Sequence, residues 1–179
     1  MVSDGFGNDS TSKAILAVVS LLVVFVTPAF SPEVLAGTGG QPRSCLNTWS
    51  VDDTDNMTTN DGTFAVTVEK VSSNAAIFVE DGQIVSSTVL NDIVSNWESI
   101  IFPSTTNYFG SSPDIDDNCQ VEIAILSLDG PGGEEGYFES GVASLREALF
   151  LDIDDLSERN RVLAHEFGQL IHYENDPFE

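Results

Sequence analysis

Residues 162–173 (VLAHEFGQLIHY) restrict the fold more than any other stretch of the chain. Wound as a helix, they put Leu163, Phe167, Leu170 and Ile171 on one side and His165, Gln169 and His172 on the other. Such a segment must bury its apolar side, so the rest of the chain has to supply a surface that covers it. The polar side is left for chemistry.

The preceding residues read as strands more than helices. Residues 63–69 (TFAVTVE) alternate with period two, and residues 75–79 (AAIFV) follow a Ser-Ser-Asn break, so the pair predicts a hairpin. Asp81-Gly82 closes the second run as a turn. Ser86 or Ser87 can cap a helix in which Val89, Leu90, Ile93, Val94, Trp97 and Ile101 recur at helical spacing, with Pro103 expected to end it. Residues 108–118 read as a loop. Residues 121–126 (VEIAIL) predict a central strand, followed by a glycine-rich turn at 129–133, a short segment Gly136-Tyr137-Phe138 and a further strand at 148–152 (ALFLD). Ser157 is the expected cap of the last helix. No internal repeat or dividing linker is visible, so the strands and helices read as parts of one α+β domain.

The amino end is of a different kind. Residues 14–26 (AILAVVSLLVVFV) are apolar apart from Ser20, too short for a comfortable membrane span and suited to the core of a secretory signal. Residues 1–36 are therefore expected to form a signal peptide, cleaved after Ala36, with an uncleaved anchor as the alternative. Residues 37–62 read as an irregular acidic lead-in in which only Trp49 looks like an anchor, and residues 63–179 as the folded domain. Export would place Cys45 and Cys119 in an oxidising compartment, either as a disulfide or as two separate buried thiols. Asn56-Met57-Thr58 matches the tripeptide of a glycosylation acceptor.

The chain carries 29 acidic and 6 basic residues, a net charge of -23. Coulomb repulsion on that scale makes nucleic acid and anionic membrane surfaces poor partners, with no stable membrane partner expected unless the N-terminal segment is an uncleaved anchor, and it suits concentrated salt, where screening weakens self-repulsion. Asp114, Asp116 and Asp117 could hold calcium, since a hard cation wants several carboxylate oxygens. They lack the glycine and terminal Glu of an EF-hand, and a solvated acidic loop is the plainer reading.

His165-Glu166 lies where a zinc motif of the HExxH type would put its first ligand and general base, but Gln169 stands at the second ligand position. An amide oxygen is a weak zinc ligand. His172 lies about 10.5 Å further along the axis than His165, too far to share a metal with it. Glu174 and Glu179 point elsewhere.

The order of elements, from IFVEDG at 77–82 through YFG at 108–110, the strand at 121–128, GYF at 136–138, REALFLD at 146–152 and VLAHEF at 162–167, resembles the front half of secreted neutral zinc metalloproteases of the hyicolysin and immune-inhibitor-A-like kind. The resemblance implies an α+β, zincin-like fold truncated before its C-terminal subdomain, in which a twisted mixed sheet packs on a backing helix and the 162–173 helix, with an edge strand beside a cleft, a peptide or protein substrate, and Glu166 as catalytic base with zinc at His165 and Gln169. It also implies a third ligand, a Glu from a downstream segment beyond residue 179. The expectation is thus an exported zinc metalloendopeptidase-like protein, inactive or incomplete as written. The alternatives are a non-catalytic pseudoprotease or an acidic cell-surface binding module. Gly168 is unusual inside such a helix, where glycine costs about 1 kcal/mol relative to alanine.

Overall fold

A computed structural model describes residues 45–140 and 146–175. The expected signal segment, residues 1–36, lies outside the described residues, which all belong to the compact unit that begins at Gln41. Among the described residues no helix is long and apolar enough to cross a membrane.

Six strands form one curled mixed sheet: β1 (Thr54–Thr59), β2 (Gly62–Val71), β3 (Ala75–Glu80), β4 (Val121–Leu126), β5 (Gly136–Phe138) and β6 (Ala148–Asp152). Their order is β1-β2-β3-β4-β6-β5. The predicted β2–β3 hairpin is present and antiparallel, with a bulge between Val68 and Lys70, and β3, β4 and β6 run parallel to one another. All six residues of β4 and all five of β6 are buried, because strands covered on both faces have no solvent side to fill with polar residues.

The lead-in is not irregular throughout, since β1 occupies Thr54–Thr59 and pairs antiparallel with β2. Its inward positions are Met57 and Thr59, and Met57 alone is apolar. One apolar residue cannot produce a visible alternation, which is why the strand was not legible in the sequence.

One face of the sheet, through Ile77, Val79, Ile123, Ile125, Leu149 and Leu151, packs against helices. The other, through Ala76, Phe78, Ala124, Leu126 and Phe150, is closed by Met57, Val66 and Val68 as the first strands curl over it. Trp49, the expected anchor, sets its ring edge-on to Phe78 at 5.0 Å. The Cys45–Cys119 disulfide ties the chain ahead of β1 to the start of β4, across 74 residues. Closing a loop of that size removes unfolded-state entropy worth about 4 kcal/mol.

The first helix, α1 (Ser87–Asn96), is capped as expected by Ser86, whose Oγ accepts the Val89 N–H at 3.3 Å. It does not stop before Pro103. A π-type turn over Trp97–Ile101 leads directly into α2 (Phe102–Phe109), so Tyr108 and Phe109 end a helix instead of starting a loop. The widened turn lets the Phe102 N–H reach the Trp97 carbonyl, and Pro103 falls in the first turn of α2.

The last helix, α3 (Arg159–Asn175), follows a 3-10 turn over Ile153–Glu158. The turn is opened by Asp152, whose Oδ1 accepts the Asp154 N–H at 3.2 Å, so Ser157 lies within it and does not cap the helix. The apolar side of α3 is the one its spacing predicts, with Val162 added. Phe167 packs at 4.8 Å from the Trp97 ring and at 5.6 Å from Phe102. Asp92 on α1 accepts from Arg159 at 2.5 Å and from Asn160 at 3.1 Å, which fixes the two helices against each other.

Candidate functional site

A cleft of about 640 Å³ opens along the polar side of α3. His165, Gln169 and His172 line it from the helix, Phe109 from the end of α2, Phe138 from β5, and Tyr173 from the last turn of α3. Gly168 is explained here. A Cβ at that position would come within 3.1 Å of the Phe109 ring, so the glycine lets the end of α2 lie directly on α3 at the cleft wall. Gly136 does the same for β5, where a Cβ would come within 2.4 Å of the Phe150 carbonyl oxygen and 2.9 Å of Val162. Both contacts bring an aromatic segment up to the helix.

The three residues expected to carry chemistry divide between two environments. His165 is open to solvent, with 65% of its side chain exposed, and its Nε2 lies 2.7 Å from the amide nitrogen of Gln169 one turn on. The amide can donate to that ring nitrogen when the imidazole is neutral with its proton on Nδ1. Glu166 turns the other way. Its Oε2 accepts the backbone N–H of Phe138 at 3.0 Å, and its Oε1 stands 3.9 Å from His165 Nε2. Burial raises the Glu166 pKa, against the opposing pull of the Phe138 N–H and of His165, while Glu134 adds a small push upward. The carboxyl is therefore anchored to the edge strand of the sheet and poised to take up a proton more readily than a surface glutamate.

Zinc needs three protein ligands that converge, as a catalytic centre, or four as a structural one. The helix offers the His165 imidazole, whose outer nitrogen is already bonded, the Gln169 amide one turn on, and the His172 imidazole about 10.5 Å along the axis from His165, too far to share one metal with it. Among the described residues no group of three or more His, Cys, Asp or Glu side chains could hold a metal ion. The donor set on α3 does not by itself fit a zinc centre. The acidic loop is likewise occupied with its own structure: Asp114 Oδ1 accepts the Cys119 N–H at 3.0 Å, and Asp116 accepts from the Asn118 backbone and side chain at 3.2 and 2.7 Å.

The aromatic lining was not singled out in the sequence as part of the site. Phe109, Phe138 and Tyr173 come from three separate elements, and only the packing of α2 and β5 on α3 brings them together. The glycines at 136 and 168 were the available signal, since each marks a close approach.

A second set of buried charges lies on the curled face of the sheet. Glu122, on β4, is fully buried and forms an ion pair with Arg146, which also reaches Asp55 on β1 at 2.8 Å. The Trp49 indole N–H donates to Glu122 at 2.7 Å, and the Arg146 guanidinium lies 5.9 Å from the Trp49 ring centre. Next to it, Glu147 accepts the Ile115 N–H and is pushed up to about 7, first by burial and then by Asp116 and Asp114. Neither carboxyl was expected to matter from the sequence.

Comparison with protein-family models finds no match to this chain, and comparison with curated proteins finds none either. The fold class that the structure defines is α+β, with a curled mixed six-stranded sheet and its longest helices on one face.

Proposed function

We propose that the chain is an exported protein built on the plan of a zinc metalloendopeptidase, whose cleft takes up peptide segments without cutting them through a metal held by these residues. The observation that carries the reading is the pairing of His165 with Gln169 beside an aromatic cleft, with Glu166 bonded to the edge strand. The cleft suits an extended chain with a large apolar side chain. Phe109, Phe138 and Tyr173 supply apolar surface, and His165, Gln169 and His172 supply hydrogen-bonding groups along one wall. Export is supported by the apolar run at 14–26 and by the Cys45–Cys119 disulfide, which belongs in an oxidising compartment.

The test is equilibrium binding of labelled peptides that differ in one apolar residue, read by fluorescence anisotropy, with the peptides examined afterwards for cleavage. Binding of intact peptides that weakens at least tenfold in Phe138→Ala fits the reading. Cleavage abolished by a chelator would contradict it.

Catalysis is the second reading, and Glu166 favours it, because a buried carboxyl with a raised pKa beside a cleft is what a general base requires. Under that reading Gln169→His raises zinc affinity and proteolysis together; a variant that gains neither rules it out.

A further inference from the structure

We infer that Asn56 is a glycan attachment site, and that the glycan covers the open edge of the sheet. Asn56-Met57-Thr58 is the one Asn-X-Ser/Thr tripeptide among the described residues, and it lies in β1, the terminal strand of the sheet. The strand's alternation sorts the three residues. Met57 is buried in the second core while Asn56 and Thr58 are both exposed, so acceptor and hydroxyl residue share the outward side. Thr58 Oγ1 rests against Thr63 Oγ1 at 3.0 Å, and the Asn56 amide makes no hydrogen bond to another described side chain.

The hydrogen-bond register adds what the tripeptide cannot. The Val68 N–H donates to the Asp53 carbonyl at 2.8 Å and the Val68 carbonyl accepts the Asp52 N–H at 2.9 Å, a bulge just ahead of β1 in which Val68 turns both backbone groups toward that strand. Narrow and wide pairs alternate along an antiparallel ladder, so residues 55, 57 and 59 bond to β2, and residues 54, 56 and 58 turn their backbone groups to the outer edge. Such an edge is a template for pairing with a second chain unless something blocks it. Asp55 is engaged by Arg146 and cannot serve as a guard on that edge. A glycan on Asn56 stands at the middle of this row of backbone groups, which bond to no described residue, and occupies the space a partner strand would need.

The co-reactant is a polyprenyl-phosphate-linked or polyprenyl-diphosphate-linked sugar. The Asn56 amide nitrogen attacks the anomeric carbon, a C–N bond forms, the C–O bond to the lipid phosphate breaks, and the phosphate leaves with the electron pair while the amide proton passes to a base. Transfer precedes closure of the β1–β2 pair, when the tripeptide is still accessible in the emerging chain. The folded strand then keeps the modified side chain in solvent.

The inference rests on the export part of the proposed function, and the experiment separates the two. The full chain is recovered from cells that glycosylate their other exported proteins, and intact mass, thiol content and cell fraction are measured for the natural chain, Asn56→Gln, Thr58→Val and Thr58→Ser. The expected result is one glycan's added mass on the exported natural chain and on Thr58→Ser, absent from the other two variants, with Cys45 and Cys119 oxidised in all four. Asn56→Gln should also self-associate severalfold more at equal concentration. An exported, disulfide-bonded natural chain of unmodified mass overturns the inference and leaves export standing. A chain kept inside the cell with both thiols free overturns export and the glycan together.

Discussion

Two buried glutamates show how differently this fold treats the same side chain. Glu122 sits at the centre of the sheet's curled face, fully enclosed, with a guanidinium, an indole N–H and a second carboxylate arranged around it. Glu166 sits at the end of the sheet, beside the cleft, with a single backbone N–H as its bonded partner. Burial raises both pKa values, but only the Glu122 charge is answered by a cation in contact. A carboxylate surrounded by partners holds a fold together; one left with a single weak partner next to an aromatic cleft is available for binding.

The contrast can be broken most forcefully at Arg146. Arg146→Met leaves the Glu122 carboxyl buried without its cation, and loss of one member of such a pair costs about 3–5 kcal/mol. Urea unfolding should show that loss, and the double variant Glu122→Leu/Arg146→Met should recover most of it. At the other end of the sheet, Gly136→Val forces side-chain atoms against the Phe150 carbonyl and Val162, a crowding that costs about 1–3 kcal/mol. Glu166→Gln should change stability by no more than about 1 kcal/mol, since an amide oxygen can still accept the Phe138 N–H, while altering binding at the cleft.

The pH dependence separates the carboxyls further. Glu147 titrates near 7 in the folded chain and near 4.5 when unfolded, so between those values the folded state binds more protons. Stability from this group is greatest below about 4.5 and falls as the pH rises to 7, above which the full penalty is present. Glu122, Asp116 and Glu166, whose pKa values are also raised, act in the same direction. Glu147→Gln should therefore flatten the decline in melting temperature between pH 5 and 8 and stabilise the chain at pH 8. A decline of unchanged steepness would contradict that assignment.

The smallest effect is expected at Gly168. Alanine gains about 1 kcal/mol of helix propensity and pushes on the half-exposed Phe109 ring, which has room to give by a few tenths of an ångström. The two nearly cancel in thermal unfolding, and the displaced ring should weaken peptide binding.

Much of the fold was legible because β3, β4 and β6 are short, largely apolar runs, broken within only at Glu122, and α3 has a clean apolar side. The alternation of β2 and the Ser86 cap were equally plain. What stayed hidden depended on contacts between distant residues. β1 carries one inward apolar residue, and Pro103 reads as a helix terminator unless the π-type turn ahead of it is known. Asp152 begins a helical run that Ser157 was expected to begin. At the site, the spacing of His165, Glu166 and Gln169 was visible, and so was the oddity of Gly168. The hydrogen bond that turns Glu166 toward Phe138, and the ring that Gly168 makes room for, exist only once β5 and α2 have packed on α3.

The central claim is that the polar side of α3 forms a peptide-binding cleft without forming a zinc centre of its own. Zinc content after dialysis against a slight excess of the metal, measured by atomic emission on the natural chain, His165→Ala and Gln169→His, addresses it directly. The expected result is far less than one zinc per natural chain and no change in His165→Ala. One zinc per natural chain, lost in His165→Ala, would contradict it.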